Sequence, residues 1–237
     1  TSIVKKVYNG SAWGEEIILR DSLNAVTDLS VGYSESALNV AYVQDVDDDI
    51  TTINDREVYL IGTSEKQVTD NEVLDSNAII NNGKLYWYSE NNIHFMNLAD
   101  STKSTVFEDA RYALADGFTV SEDNGNIAIL WSGSEDSSSE IKGVLYQDGA
   151  WGDVITVSEL GAYAKYPTCI LEEDGTILTS FTAETDGITS LYTLGLFPSY
   201  DLAISDIYFD EKNLALNSEN EFEVMVTNNG ELPVEGY

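Results

Sequence analysis

The chain has 237 residues, 43% of them apolar, which is enough for a substantial core and too apolar for a disordered segment. Its 11 Lys and Arg stand against 42 Asp and Glu, a net charge of −31, so long-range repulsion argues against nucleic acid and anionic membrane surfaces as partners; cations, neutral glycans and basic proteins remain, beside the plain reading of a solubilising surface. No apolar run approaches the length of a transmembrane helix, and the single Cys169 excludes an internal disulfide.

In chain order, Thr1 to Val4 carries no charged and apolar leader, so the start is read as that of a mature or cut fragment. Ile3 to Leu19 follows as two strands about an Asn9-Gly10 hairpin, with Trp13 at the start of the second. Ser36 is then followed by Leu38, Val40 and Tyr42, an alternation of period two that marks a strand. The same element recurs as Gly83 with Leu85 and Trp87, as Gly125 with Ile127, Ile129 and Trp131, and as Gly175 with Ile177, Thr179 and Phe181. Behind each comes a further strand: Arg56 to Ile61, Asn92 to Asn97, Ile141 to Tyr146 and Ile188 to Leu194. Asp148-Gly149 is a strong hairpin signal, and Trp151 sits just past it as Trp13 does past Asn9-Gly10. Cys169 falls in an apolar stretch, Tyr166 to Leu171, that reads as a buried strand.

Two strand sets fix the period independently. Residues 3–19 align without a gap on 141–157, with identities at Ile3/Ile141, Tyr8/Tyr146, Ala12/Ala150, Trp13/Trp151, Gly14/Gly152 and Ile17/Ile155; the offset of 138 is three periods of 46. Leu38 to Ile177 spans 139 residues over three intervals. Four strands every 46 or so residues, with almost no helix signal, define an all-β fold of β-propeller blades over residues 1–197. Three complete and two partial blades are expected, and both a closed ring and an arc of a larger, incomplete one fit that number. Pro198-Ser199-Tyr200 then punctuates the chain, and residues 198–237 form a second unit.

Ala164 to Leu178 and Ser139 to Ile155 resemble the sialidase-like (BNR-type) propeller repeats of bacterial secreted proteins. Ser121-Glu122-Asp123-Asn124-Gly125 matches the first half of that family's Asp-box, Ser-x-Asp-x-Gly, but Ile127-Ala128 stands where Thr-Trp belongs. The turn also precedes the second strand of its blade, whereas the Asp-box joins the third and fourth, so it is read as an ordinary hairpin. Asp201 to Phe209, then Phe222 to Pro233 with its Asn229-Gly230, resemble the opening of a CARDB-type immunoglobulin-like module. About 37 residues of it are present, which implies a truncated β-sandwich and neighbouring domains in a longer chain.

Among site candidates, Asp45, Asp47 and Asp49 place carboxylates at alternate positions, as calcium loops do, and calcium is the one cofactor the sequence suggests. Ile50 replaces the loop glycine and Arg56 the bidentate Glu of an EF-hand, so the other reading is a solvated acidic hairpin. Tyr86, Trp87 and Tyr88 resemble an aromatic platform for sugars, yet Trp87, Trp131 and Phe181 occupy core positions of the repeat, and Tyr86 and Tyr88 face the next blade. The recurrence of Trp13 and Trp151 points to blade packing. His94, the only histidine, lies mid-strand without a nucleophile elbow, and one His with one Cys excludes a zinc site. Sialidase chemistry would need an arginine trio, and only Arg20, Arg56 and Arg111 are present, none in the family's motif.

The leading reading is therefore a non-catalytic recognition or adhesion region of a secreted or cell-surface bacterial protein that binds a glycan or an extracellular protein. Two others stand beside it: part of a glycoside hydrolase or lyase whose catalytic residues lie elsewhere, and a structural spacer. The fold alone does not choose among them.

Overall fold

The computed structural model describes residues 1–34, 36–108, 117–135, 138–158, 163–173, 175–196, 202–208 and 223–228. Twenty strands and no helix form among them. An N-terminal pair, β1 (Ile3–Lys5) and β2 (Ile17–Arg20), precedes blade one: β3 (Val26–Ser34), β4 (Ala37–Asp45), β5 (Arg56–Ile61) and β6 (Glu65–Gln67). Blade two is β7 (Asp75–Asn81), β8 (Lys84–Ser89), β9 (Asn92–Asn97) and β10 (Lys103–Phe107). Blade three is β11 (Phe118–Asp123), β12 (Asn126–Glu135) and β13 (Ser138–Gln147), with its outer position shared by the short β14 (Ala150–Trp151) and β15 (Ile155–Thr156), both paired to β13. Blade four has three strands, β16 (Tyr163–Leu171), β17 (Ile177–Thr185) and β18 (Ile188–Leu196), and joins blade three through the parallel bridge Ser139 to Tyr163. A separate antiparallel hairpin pairs β19 (Leu202–Tyr208) with β20 (Glu223–Asn228).

Each blade is an antiparallel meander because its turns are too short for any other connection. The β11–β12 and β13–β14 turns are Asn124-Gly125 and Asp148-Gly149, all four residues at positive φ, the backbone that two-residue hairpins use to match strand twist. The Asp-box-like segment is thus a hairpin tip between the first and second strands of blade three.

The second strands are buried on both faces. On β4, Val40 and Tyr42 pack back against Ile3 and Leu23, whereas Ala41 and Val43 pack forward with Ala78 and Ile80 of blade two. On β8, Leu85 and Trp87 face back into that same seam, and Tyr86 and Tyr88 face forward onto Phe118, Val120, Ile129 and Trp131. On β12, Ala128 and Leu130 continue the pattern against Ala164, Ile177 and Phe181 of blade four. Trp87, Trp131 and Phe181 therefore fill the seams between blades, and so do Tyr86 and Tyr88.

Polar ties repeat with the seams. Ser30 Oγ on β3 accepts from Ile80 N on β7 at 2.9 Å, and Ser121 Oγ on β11 accepts from Leu171 N on β16 at the same distance. Gly32 lies against Ile80, where a Cβ would collide with the isoleucine methyl. Trp151 rests against Phe107 of the preceding blade, ring centroids 5.7 Å apart. Trp13, its counterpart, has Tyr8 as its aromatic neighbour among the described residues and is 68% exposed, because no described blade lies behind the β1–β2 pair. Sequence spacing equates the two tryptophans; their different neighbours separate them.

The ring is open. Leu29, Val31 and Tyr33 on the back face of blade one and Leu178 and Leu191 on the forward face of blade four are exposed, and no strand pairing links these ends among the described residues.

Trp131→Ala is expected to destabilise the chain by about 3–5 kcal/mol in urea unfolding, and Trp13→Ala by less than about 0.5 kcal/mol. Gly32→Ala should lose about 1–3 kcal/mol through overpacking, and comparable stability of Gly32→Ala and wild type would show that the two inner strands do not meet as described.

Candidate functional site

Antiparallel pairing brings three connections to one end of blades one and two: residues 21–25 before β3, 46–55 between β4 and β5, and 68–74 between β6 and β7. The first two interlock. Asn24 Nδ2 donates to Val46 O at 2.6 Å, Ala25 N donates to Asp48 Oδ1 at 2.9 Å, and Asp45 N donates to Ala25 O at 2.9 Å. Asp48 is held at φ 65°, a left-handed conformation that Asp tolerates.

Within the β4–β5 loop the carboxylates organise the backbone. Asp47 N donates to Asp55 Oδ2 at 3.1 Å and Asp49 N to Asp47 Oδ1 at 2.8 Å. Asp49 takes the Thr51 hydroxyl at 2.6 Å and its N–H at 3.1 Å, and these bonds hold the Asp49 carboxyl below its ordinary range. The carboxylate that gathers with Asp45 and Asp47 is Asp55: oxygens of the three lie within 4.8 Å of one another. Asp49 serves the turn instead. The donors of the gathered set are hard oxygens only, the kind that suit calcium, magnesium or manganese.

Asp45 closes β4 and has no exposed surface, and neither of its oxygens accepts a hydrogen bond. Arg56 Nε lies 3.6 Å from Asp45 Oδ2, while Arg56 Nη2 donates to Ile50 O at 3.0 Å. Burial first, then the charges of Asp55 and Asp47, push the Asp45 carboxyl above its ordinary range against the opposing pull of Arg56. The Asp47 N–H holds Asp55 below its own.

A second acidic pair stands beside it. Asn71 N donates to Glu57 Oε1 at 2.8 Å and Asn71 Nδ2 to Asp75 Oδ2 at 3.1 Å, so one asparagine ties β5 of blade one to β7 of blade two. Burial, and secondarily Asp75, raise Glu57 above the ordinary carboxylate range. Between the loops opens a cleft of about 510 Å³, lined by Asp47, Thr51, Thr52, Asp55, Asn71 and Glu72 among others. Asp55, Glu57, Asn71 and Asp75 carry no motif in the sequence. The signal that could find them is pairing: a hairpin that sets Asp45 opposite Arg56 brings Asp55 back beside Val46 and Asp47.

The remaining sequence candidates are structural. His94 stacks on Trp87, centroids 5.5 Å apart, and its Nδ1 meets Thr105 Oγ1 at 3.2 Å. Cys169 lies on β16 with Sγ 3.9 Å from Thr119 Oγ1, and burial pushes its thiol up to about 12, far from the reactive range. Arg20 is paired with Glu65 at 2.9 Å and Arg56 with Asp45, each with its own carboxylate; Arg111 lies outside the described residues.

One further charged cluster has no sequence signal. Lys84 Nζ reaches both oxygens of Glu122 at 2.5 Å and Tyr86 Oη donates to Glu122 Oε2 at 2.9 Å, across the seam between blades two and three. The Glu122 side chain is only 7% exposed, so its removal strands Lys84 as well. Glu122→Ala is expected to lower unfolding free energy by about 3 kcal/mol and Tyr86→Phe by about 1 kcal/mol. Equal small losses by chemical denaturation would count against a buried pair.

The blades, their seams and the open ring define an incomplete β-propeller. The intramolecular trans-sialidase of Ruminococcus gnavus superposes with a TM-score of 0.50 at 10% identity, over 83% of this chain and 50% of that one. The leech intramolecular trans-sialidase gives 0.49 at 11%, over 83% and 36%, and a thermostable family-43 glycoside hydrolase gives 0.43 at 12%, over 89% and 77%. The chain thus spans half or less of either trans-sialidase, and at these identities the likeness is one of fold. No family model and no curated protein matches the sequence.

Proposed function

We propose that the chain is a non-catalytic recognition propeller of a secreted or cell-surface bacterial protein, binding a glycan in the cleft between the β4–β5 and β6–β7 loops. The observation that carries this reading is the cleft itself: about 510 Å³, open to solvent, its exposed lining largely carbon around Ile53 with threonine, asparagine and carboxylate side chains at its edges, a mixture suited to the apolar faces and hydroxyl edges of a sugar. The aromatic rings that first suggested a sugar platform are committed to the seams, so recognition falls to loop groups. Among the described residues, His94 and Cys169 are likewise occupied and Arg20 and Arg56 are paired apart, which supports a reading without a histidine relay or an arginine trio and leaves paired carboxylates to the second reading. Residues 198–237 are assigned in this reading to an immunoglobulin-like module of the CARDB type, for which the β19–β20 hairpin supplies two strands.

The trans-sialidase likeness favours a second reading, in which the blades belong to a glycoside hydrolase completed by residues elsewhere. A glycan array probed with this chain separates them from a spacer. We expect saturable binding to a restricted set of glycans, weakened at least tenfold by Asn54→Ala combined with Glu72→Ala, two exposed cleft positions. An empty array together with an empty pull-down would leave the spacer reading. Sugar release by the longer parent, abolished by a carboxylate substitution in the blades, would overturn the non-catalytic assignment.

A further inference from the structure

We propose that Asp45, Asp47 and Asp55 form a binding site for a hard divalent cation of the calcium class at the edge of the cleft. Three carboxylates converge within 4.8 Å, and the decisive member is Asp45: it has no exposed surface, and neither oxygen receives a hydrogen bond. A buried carboxylate without donors is unstable unless a proton or a cation compensates it. Among the described residues the positive group set against it is Arg56, which stands off at 3.6 Å, its Nε making no hydrogen bond and its Nη2 committed to Ile50 O. One guanidinium against three carboxylates leaves a local charge of about −2, the charge a divalent ion neutralises.

The other two carboxylates are held by hydrogen bonds that leave Asp55 Oδ1 buried and without a partner. Asp55 Oδ2 accepts the Asp47 N–H, while Asp47 Oδ1 accepts the Asp49 N–H and the Thr52 hydroxyl lies 3.3 and 3.5 Å from the two Asp47 oxygens. The donor set is oxygen throughout, which disfavours zinc, copper and iron. Calcium takes 6–8 oxygens in irregular geometry, and the open cleft beside Asp47 and Asp55 admits the waters needed to complete its shell. The site differs from the alternating Asp45, Asp47, Asp49 pattern in its third ligand, because the loop folds back to bring Asp55 and spends Asp49 on Thr51. It stands independently of any glycan.

The test uses calcium chloride alone on chelator-treated chain, followed by calorimetric titration and thermal unfolding. We expect uptake of about one ion per chain, saturating by low millimolar calcium, with a rise in unfolding temperature. Asp55→Asn and Asp45→Asn should weaken uptake at least tenfold, whereas Asp49→Asn should bind as wild type does. Asp45→Asn should also be at least as stable as wild type in chelator, since it relieves the repulsion among three gathered carboxylates; a loss of stability would mark Asp45 as the partner of Arg56 alone and overturn the proposal. Absence of uptake up to tenfold above low millimolar calcium, uptake unaffected by Asp45→Asn and Asp55→Asn, or equal loss in Asp49→Asn would each overturn the proposal. Magnesium run in parallel should bind more weakly, and preference for it would overturn the calcium assignment.

Discussion

Everything in the molecule depends on second strands that are buried on both faces. In a two-layer sandwich such a strand would present one face to water; here β4, β8 and β12 carry apolar residues at consecutive positions, Tyr42 beside Ala41 and Val43, Tyr86 beside Leu85 and Trp87. A strand of this kind needs a sheet on each side, so β4, β8 and β12 each lie between two others. The seams supply that company, and their polar ties, such as Ser30 to Ile80 N, fix the angle at which consecutive inner strands meet. The architecture is consequently quasi-one-dimensional, each blade resting on its neighbours along the chain.

The seams also decide where function can reside. Large aromatic side chains, which would otherwise be the natural sugar contacts, are consumed in packing: Trp131 stands against Phe107, and Phe181 against Tyr192. What the seams leave free is the loop end. There the connection before β3 is clamped onto the β4–β5 loop through Asn24 and Asp48, and Asn71 locks that same region to blade two. The acidic cluster is therefore mounted on a rigid seam rather than on an isolated loop, which is how the carboxylates between Asp45 and Asp55 are kept from splaying apart by mutual repulsion.

Strand order and period were legible in the sequence because burial on both faces leaves a strong local trace. The anchors at Leu38, Leu85, Ile127 and Ile177 all fall on second strands, and the turns at Asn124-Gly125 and Asp148-Gly149 sit where their residue types demand. The site was legible only in part. Asp45 and Asp47 stood out by alternation, but alternation describes an extended chain, and the segment after Asp47 turns: Asp48 enters the left-handed region and Thr51 and Thr52 bond back to Asp49. Once the chain reverses, neighbours are set by hairpin pairing, and Asp55 replaces Asp49. Glu122 with Lys84, 38 residues apart, lies on a different blade, and no local pattern encodes such a pair. The unlike fates of Trp13 and Trp151 make the same point, since identical spacing produced different burial where the neighbouring blade differed.

The forward face of blade four carries the reasoning one step further. At positions where β4 presents Ala41 and Val43, β8 Tyr86 and Tyr88, and β12 Ala128 and Leu130, β17 presents Leu178 and Ser180. Ser180 is bonded across to Thr193 of β18 at 3.1 Å, so its hydroxyl is satisfied without a neighbouring sheet. Leu178 keeps one member of the apolar pair and stands exposed with Ile170 and Leu191 on this face, while Ser180 replaces the other. Burying Ile170, Leu178 and Leu191 against a further sheet would be favourable, whereas at the second position such a sheet would meet a hydroxyl already paired within its own blade. Blade four thus differs from the others at one of the two forward positions, and a sheet placed against it would meet an apolar strip beside a hydroxyl, much as the internal seams set apolar residues beside the Ser30 and Ser121 ties.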